Sequence, residues 1–455
     1  MDLRMGTVVW FYKSKNAIKD RLRPYWWSVQ GSLNFIVLLI ARGLLRLFPS
    51  TQFVTRDSIY PPSELCQSTK LWMTKYGEKI GARYIDVEPS CVVTIALPKT
   101  PHSVVRQQLA MDRDYEWPAT FVVTIPNGRV WGDGHIITPD NQLLGDLSCD
   151  FRAQRWTLFP KTSSVVRYWS WRDVVEYDAR VAVLATDGAE NYYHWLFQLL
   201  PRIQLLREAG IDLRSIDYFV VNNLNKSFQR DTINALGIEP SKFVESSKIP
   251  YLRARQLIVP SIPIGGGCYR RWMCEFLRAT FPGDKALQNA ARVARRLYIS
   301  RGLASYRRVL NEIEVIRLLR RHGFEEIKFE GLSVLQQAES MASCEAIVAP
   351  HGAGLSNIVF CQPGTKLIEI FSPELVTGIF WRLASQLNLD YYYIVGKGSP
   401  ETQQEDYQQS WNARADIVVD LSILQKALEL SGLAQDKSPL PTDARLSATA
   451  DGGPI

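Results

Sequence analysis

Three short stretches of this 455-residue chain put chemically capable side chains where an apolar run gives way to a loop. The segment 344–371 reads CEAIVAPHGAGLSNIVFCQPGTKLIEIF. Its apolar run ends at Pro350, and His351, Gly352, Ala353 and Gly354 turn the chain toward a short helix carrying Asn357. Glycines there permit positive φ and a close approach of backbone to a ligand. A helix start offers unpaired N–H groups suited to phosphate. A tight strand-to-helix turn, with no ligand at all, asks for the same two glycines. The segment 299–312, ISRGLASYRRVLNE, sets Arg301 just beyond an apolar run and Arg307, Arg308 and Asn311 ahead of the next helix. Guanidinium groups fork bidentately onto a diphosphate. Arg301 and Arg308 are the expected ligands, and Arg307 reads as part of a solvated basic loop. The segment 187–202, DGAENYYHWLFQLLPR, gathers Asp187, Glu190, Asn191 and His194 before an apolar helix. An imidazole titrating near neutrality suits a general base, so His194 is the expected base, with Asp187 and Glu190 as carboxylate alternatives. His351 ranks behind it because it opens the glycine turn, where phosphate would lie. The competing reading makes His194 a partly buried imidazole that only bonds its neighbours.

These loops need elements that bring them to one edge. From 178 onward, short apolar runs alternate with helical patterns. Strands are predicted over 180–186, 216–222 and 255–261, with helices over 192–210 and 228–237 between them. A second alternation places strands over 296–300, 325–330, 344–350, 365–371 and 391–396. Its helices are predicted over 312–323, 334–342 and 374–387, with a short one from Gly354. Such alternation implies parallel sheets joined by crossover helices, here in two blocks. Ser261–Gly267 reads as a hinge or loop. Between 80 and 150, brief alternating runs broken by Pro126-Asn127-Gly128 and Pro139-Asp140-Asn141 predict an antiparallel β region, an accessory to the two α/β blocks.

With 46% hydrophobic and 22% charged residues the chain is globular, not disordered, collagen-like or a coiled coil. Of its net +7, the first 48 residues carry +6, because eight Lys and Arg there face only Asp2 and Asp20. The remainder is nearly neutral, which argues against a nucleic-acid partner. Residues 33–48, LNFIVLLIARGLLRLF, fall short of the ~20 apolar residues that cross a bilayer. With Trp10-Phe11-Tyr12 and Tyr25-Trp26-Trp27 nearby, they read as an amphipathic helix on an anionic membrane surface, with packing on the main body or a true span as alternatives. Seven dispersed cysteines without a CxxC pair, and no cleavable signal, read as a cytoplasmic protein, peripheral at the inner membrane face. The polar stretch from 433 reads as disordered. No metal ion is expected. HExxH is absent, and Asp112-Arg113-Asp114 follows VVRQQLAM rather than the apolar strand an acid-x-acid metal motif would end.

Taken together, NYYHWLFQLLPRI, ISR-x5-RR-x2-NE and HGAGLSN-x5-PGTKLIEIF resemble glycosyltransferase family 61, a group that includes bacterial capsular-polysaccharide-type proteins and eukaryotic xylosyl- and N-acetylglucosaminyltransferases. The resemblance covers roughly 180–395. It implies an α/β, GT-B-like fold, with two Rossmann-like domains facing a cleft, beside the accessory β region and the N-terminal amphipathic segment. It implies an inverting transfer from a nucleotide sugar, usually UDP-linked, to a glycan hydroxyl in surface polysaccharide synthesis. The expected division is 1–55 for the basic segment and 56–265 for the acceptor side. Residues 266–396 form the donor domain, and 397–455 a C-terminal helix and tail. Carried over, the donor site takes Arg301, Arg308, Asn311, His351, Gly352, Gly354 and Asn357, with Ala353 inside the glycine loop. Glu369 stands where GT-B enzymes often put a nucleotide-contacting carboxylate, and Asn191 and His194 match the N-terminal motif. The alternatives are a nucleotide-sugar epimerase or hydrolase on the same fold, or a non-catalytic membrane-peripheral binding subunit.

Overall fold

The computed structural model describes residues 62, 64–148, 174–262, 267, 269–281, 295–398 and 414–434. The expected N-terminal segment 1–55, residues 263–266 of the expected hinge and the tail beyond 434 lie outside the described residues. Mixed α/β architecture holds throughout, in two compact units: residues 62–89 and 119–262, and residues 90–118 and 267–434. No helix of the described residues is long and apolar enough to cross a membrane.

The first unit is built on a ten-stranded mixed sheet. Strand Val175–Val183 lies parallel to Tyr218–Val221 on one side and to Tyr251–Pro260 on the other. The predicted accessory β region is divided: Cys91–Thr94 and Asp114–Trp117 form a separate two-stranded antiparallel sheet in the second unit, and the other strands join the large sheet. Strands Thr120–Pro126 and Arg129–Trp131 both run antiparallel along Tyr251–Pro260, extending the same sheet. Pro126-Asn127-Gly128 makes the turn its composition signals, the Gly128 N–H donating to the Ile125 carbonyl (3.2 Å), but the flanking strands share one partner in one register, Pro126 opposite Gln256 and Arg129 opposite Arg253. Asn127 takes the left-handed conformation (φ 53°), which asparagine tolerates better than most residues. Gly128 is needed because a Cβ there would lie 2.9 Å from the Leu257 Cβ. Val123, Ile125, Val181, Val183, Leu257 and Val259 form the buried face.

The second unit holds a five-stranded, all-parallel sheet in the spatial order Phe324–Ile327, Arg295–Ile299, Cys344–Pro350, Lys366–Phe371, Asp390–Val395. In chain order this is 2-1-3-4-5, a doubly wound arrangement whose winding reverses between Arg295–Ile299 and Cys344–Pro350. Its strands read as unbroken apolar runs because both faces are covered, and Val348, Ile368, Ile370 and Ile394 are fully or almost fully buried. Residues 90–118 belong to this unit. Tyr393 N–H donates to the Lys99 carbonyl and Lys99 N–H to the Tyr391 carbonyl, which extends the sheet past its edge strand.

Two predicted helices differ in detail. The helix over 192–210 opens as Tyr192–His194, passes through a wider π-turn at Trp195–Leu199 and resumes as Pro201–Glu208. Pro201 has no N–H and would clash with the carbonyl four residues back, and the extra residue in the wide turn relieves that conflict. The helix expected over 374–387 begins only at Ile379, because Pro373 and Gly378 break its first half.

Candidate active site

The carboxyl edge of the parallel sheet in the second unit assembles the donor-side candidates. Strand Arg295–Ile299 leads to Ser300 and Arg301, and the Glu312 carboxylate anchors the turn by accepting from Tyr298 Oη (2.9 Å), Ser300 Oγ (2.9 Å) and Arg301 N (3.3 Å). The Arg301 guanidinium donates from Nε to the Arg307 carbonyl (3.2 Å) and from Nη2 to the Tyr306 carbonyl (3.0 Å). It lies directly on Gly352, where any Cβ would collide with Nη1. This explains the first glycine of the HGAG turn. Neither Gly352 nor Gly354 has positive φ in the left-handed range, so it is close approach, not a left-handed backbone, that calls for glycine at 352. The helix that follows is a 3-10 helix, Ala353–Phe360. Burial, and next the Arg307 charge, pull the Arg301 guanidinium below its ordinary value.

Arg307 is not a solvated loop residue. It adopts φ 53°, unusual for arginine. Its guanidinium centre lies 5.0 Å from the Tyr306 ring centroid, and its Nε is buried without a hydrogen-bond partner among the described residues. Burial lowers its pKa as well, against the opposing influence of Tyr306 and Glu369. Two desolvated guanidiniums side by side form a site short of negative charge. Arg308, expected as a ligand, instead pairs with Asp416 (2.8 Å) at the exposed rim, with its own N–H also donating to that carboxylate (2.8 Å). Asn311 is likewise used up: Nδ2 donates to the Val419 carbonyl (2.8 Å) and Oδ1 accepts the Val419 N–H (2.9 Å). Both residues clip the segment after Arg414 onto the loop. The Arg414 carbonyl accepts the Arg307 N–H (3.2 Å), which fixes Arg307's left-handed backbone.

His351 ends strand Cys344–Pro350, and its Nδ1 stands 2.5 Å from Glu369 Oε1. Glu369 is fully buried and accepts from Tyr391 Oη (2.6 Å) through its other oxygen, so it faces the imidazole and not a nucleotide. Asn357 is also fully buried, donating to Gln337 Oε1 (2.8 Å), which ties the 3-10 helix to Val334–Ala342. Sequence reasoning missed Glu374, beyond strand Lys366–Phe371, whose Oε2 is buried without a partner among the described residues.

In the first unit, strand Val175–Val183 leads into the second cluster. Asn191 serves as a helix cap, its Oδ1 accepting the Tyr193 N–H (2.9 Å), rather than standing free for an acceptor. His194 Nδ1 meets Gln198 Oε1 at 2.9 Å, and Gly188 (φ 83°) lies against the ring, where a Cβ would come within 3.1 Å. Burial pushes the His194 imidazole below its ordinary value, with Gln198 and the Asp187 charge opposing. Glu190 accepts a short hydrogen bond from Asn223 Nδ2. Asp187 is buried, and Asn222 bonds both Asp133 Oδ1 (3.0 Å) and the Thr186 carbonyl (2.9 Å). Asp133 and Asn222 were missed as well. The one available signal was Gly132-Asp133-Gly134, a turn whose second glycine approaches the Ala185 carbonyl too closely for a Cβ. Among the described residues no group of three or more His, Cys, Asp or Glu side chains is gathered as metal ligands.

No curated protein matches the chain. Residues 192–368, from the helix that carries His194 to the strand that carries Glu369, match the family model described as Glycosyltransferase 61. That stretch includes Arg301, Arg307, His351 and Gly352, the residues gathered at the winding reversal of the parallel sheet, and over these residues the chain is similar to this glycosyltransferase family.

Proposed function

We propose that the protein is an inverting, GT-B-type transferase that moves a sugar from a nucleoside diphosphate donor, UDP-linked, to a glycan hydroxyl in surface polysaccharide synthesis. The donor diphosphate lies at the carboxyl edge of the second unit, where the winding of the sheet reverses. One observation carries the reading: at this reversal two desolvated arginines, Arg301 and Arg307, lie beside a glycine kept bare of a Cβ. Ligands of open α/β sheets bind at such a switch point. A departing diphosphate supplies the negative charge the arginines lack, so we assign leaving-group stabilisation to them rather than to a metal ion. Glu374 is the carboxylate available to donor hydroxyls. On the acceptor side, the hydroxyl loses its proton to His194, which burial keeps neutral at working pH. Its oxygen attacks the anomeric carbon as the bond to the diphosphate breaks.

Thermal unfolding with a panel of nucleoside diphosphates and their sugars tests this. UDP at 100 times its Kd should add about 2.7 kcal/mol of stability. Absence of any shift with UDP, while another nucleotide stabilises, moves the donor assignment to that nucleotide. Absence with every nucleotide removes the donor reading.

A further inference from the structure

The buried row Tyr391–Glu369–His351 takes no part in the proton transfer at His194 or in the arginine contacts. We propose that Glu369 is a positioning residue that holds His351 as an imidazolium, with Tyr391 fixing and moderating the carboxylate, and that the His351 Nε2–H serves the departing phosphate oxygen. The proposal rests on the donor reading above and assigns a role within that site.

Glu369 has no exposure and accepts two hydrogen bonds, one per oxygen. A carboxylate accepts only, so its 2.5 Å contact with His351 places the proton on Nδ1. Burial, and then the Glu369 charge, hold the Tyr391 phenol well above its ordinary range, so it remains a neutral donor. A buried carboxylate needs a cation nearby. Two are in position: His351 in direct contact, and Arg307, whose charge also acts on Glu369. Phe371 and Phe380 flank the imidazole at ring-centroid distances of 5.4 and 5.3 Å, and the His351 backbone N–H is tied to the Ile370 carbonyl (2.9 Å). The ring cannot readily turn, and Nε2 has no hydrogen-bond partner among the described residues.

Its neighbours decide what Nε2 serves. The next residue, Gly352, is the one on which the Arg301 guanidinium lies. In an inverting displacement the acceptor oxygen enters opposite the leaving group, so a residue beside the arginines meets the diphosphate. The bond from the anomeric carbon to the β-phosphoryl oxygen breaks, its electron pair stays on that oxygen, and Nε2–H hydrogen-bonds to it. His351 keeps its proton, and the acceptor proton goes to the base.

Histidine resonances of the full chain, followed against pH without ligand, test the positioning. His351 is assigned by its loss in His351→Gln. The charged and titratable groups around it are Glu369, Tyr391, Arg301 and Arg307. Glu369→Gln removes the anionic partner and should lower the His351 midpoint by roughly one pH unit or more. Tyr391→Phe strips a donor from the carboxylate and should move the midpoint upward. Equal midpoints in all three proteins overturn the positioning role. If Glu369→Gln does not fold, the upward shift in Tyr391→Phe still decides. UDP calorimetry then tests the leaving-group role. Affinity should fall as pH rises through the His351 midpoint, and His351→Gln should lose about tenfold or more at pH 6 together with that pH dependence. A UDP affinity unchanged in His351→Gln, with normal wild-type binding, refutes this role alone. No UDP binding by the wild type refutes the UDP donor reading instead, and the leaving-group role with it.

Discussion

Strand Val175–Val183 in the first unit and strand Cys344–Pro350 in the second each lead into a loop with a histidine, and the two histidines are held in opposite ways. His194 has a neutral amide, Gln198, on Nδ1 and is pushed by burial toward its uncharged form. His351 has a carboxylate on Nδ1 and arginines nearby. An imidazole beside an amide is suited to take a proton, and one beside a carboxylate is suited to keep its proton and offer it as a hydrogen bond. The charges further out work against each assignment, so burial and the direct partner decide. Carboxylates Asp187, Glu190 and Asp133 lie in the His194 cluster, and guanidiniums Arg301 and Arg307 accompany His351. Similar strand-end placement thus yields two different kinds of site, decided by the second residue each imidazole touches.

The sharpest way to break this contrast is His194→Ala. Turnover should fall about 10²–10⁴-fold, the range for losing a general base, with UDP affinity near normal. A loss below about tenfold, alongside inactivation by Asp187→Asn or Glu190→Gln, would transfer the role to a carboxylate. Because burial depresses the His194 pKa, the base stays deprotonated below the ordinary histidine value. The acidic limb of the turnover profile should therefore lie below about pH 6.5. A midpoint above that value would mean that the Asp187 charge, not burial, dominates at the ring.

The cationic edge is tested next. Arg301→Ala and Arg307→Ala should each weaken UDP binding by on the order of 2–5 kcal/mol, as when one partner of a buried charge pair is removed. Gly352→Ala should act in the same direction, because its methyl group displaces the Arg301 guanidinium. Calorimetry on folded variants reads all three. Arg308→Ala provides the contrast. Its side chain is 52% exposed and paired with Asp416, so stability and UDP affinity should change by only about 0–1 kcal/mol. An Arg308→Ala defect as large as that of Arg307→Ala would restore the assignment made from spacing. The smallest effect should come from EDTA, which leaves turnover near its starting rate if the arginines carry the leaving-group charge. Inactivation reversed by manganese would show that they do not.

Much of the fold is legible along the chain. The runs RLYIS, CEAIVAP, TKLIEIF and YYYIVG emerge within a residue or two as strands Arg295–Ile299, Cys344–Pro350, Lys366–Phe371 and Asp390–Val395. A strand covered on both faces needs unbroken apolar sequence, and such a run is visible with no knowledge of its partners. The same local logic places His194, Arg301 and His351 just beyond strands or at the start of a helix, and it identifies the glycine turn.

What the tertiary structure decided was which side chain of a local group meets which partner. Arg307 and Arg308 are adjacent residues of one type, and no local rule separates them. The difference arises because Arg414, Asp416 and Val419, about a hundred residues downstream, bond to the loop and turn Arg307 inward while holding Arg308 at the rim. Glu369 reads locally as a polar break in an apolar strand. Only the parallel pairing of Cys344–Pro350, Lys366–Phe371 and Asp390–Val395 sets it between His351 and Tyr391. Pro126-Asn127-Gly128 makes the local turn its composition signals, yet both flanking strands pair with Tyr251–Pro260, so the chain keeps its direction through it. Strands, turns and residue types follow from short-range sterics and burial, which a sequence carries in its local pattern. The pairing of distant strands is a long-range event, and that pairing determined which arginine faces the site and which histidine has a carboxylate behind it.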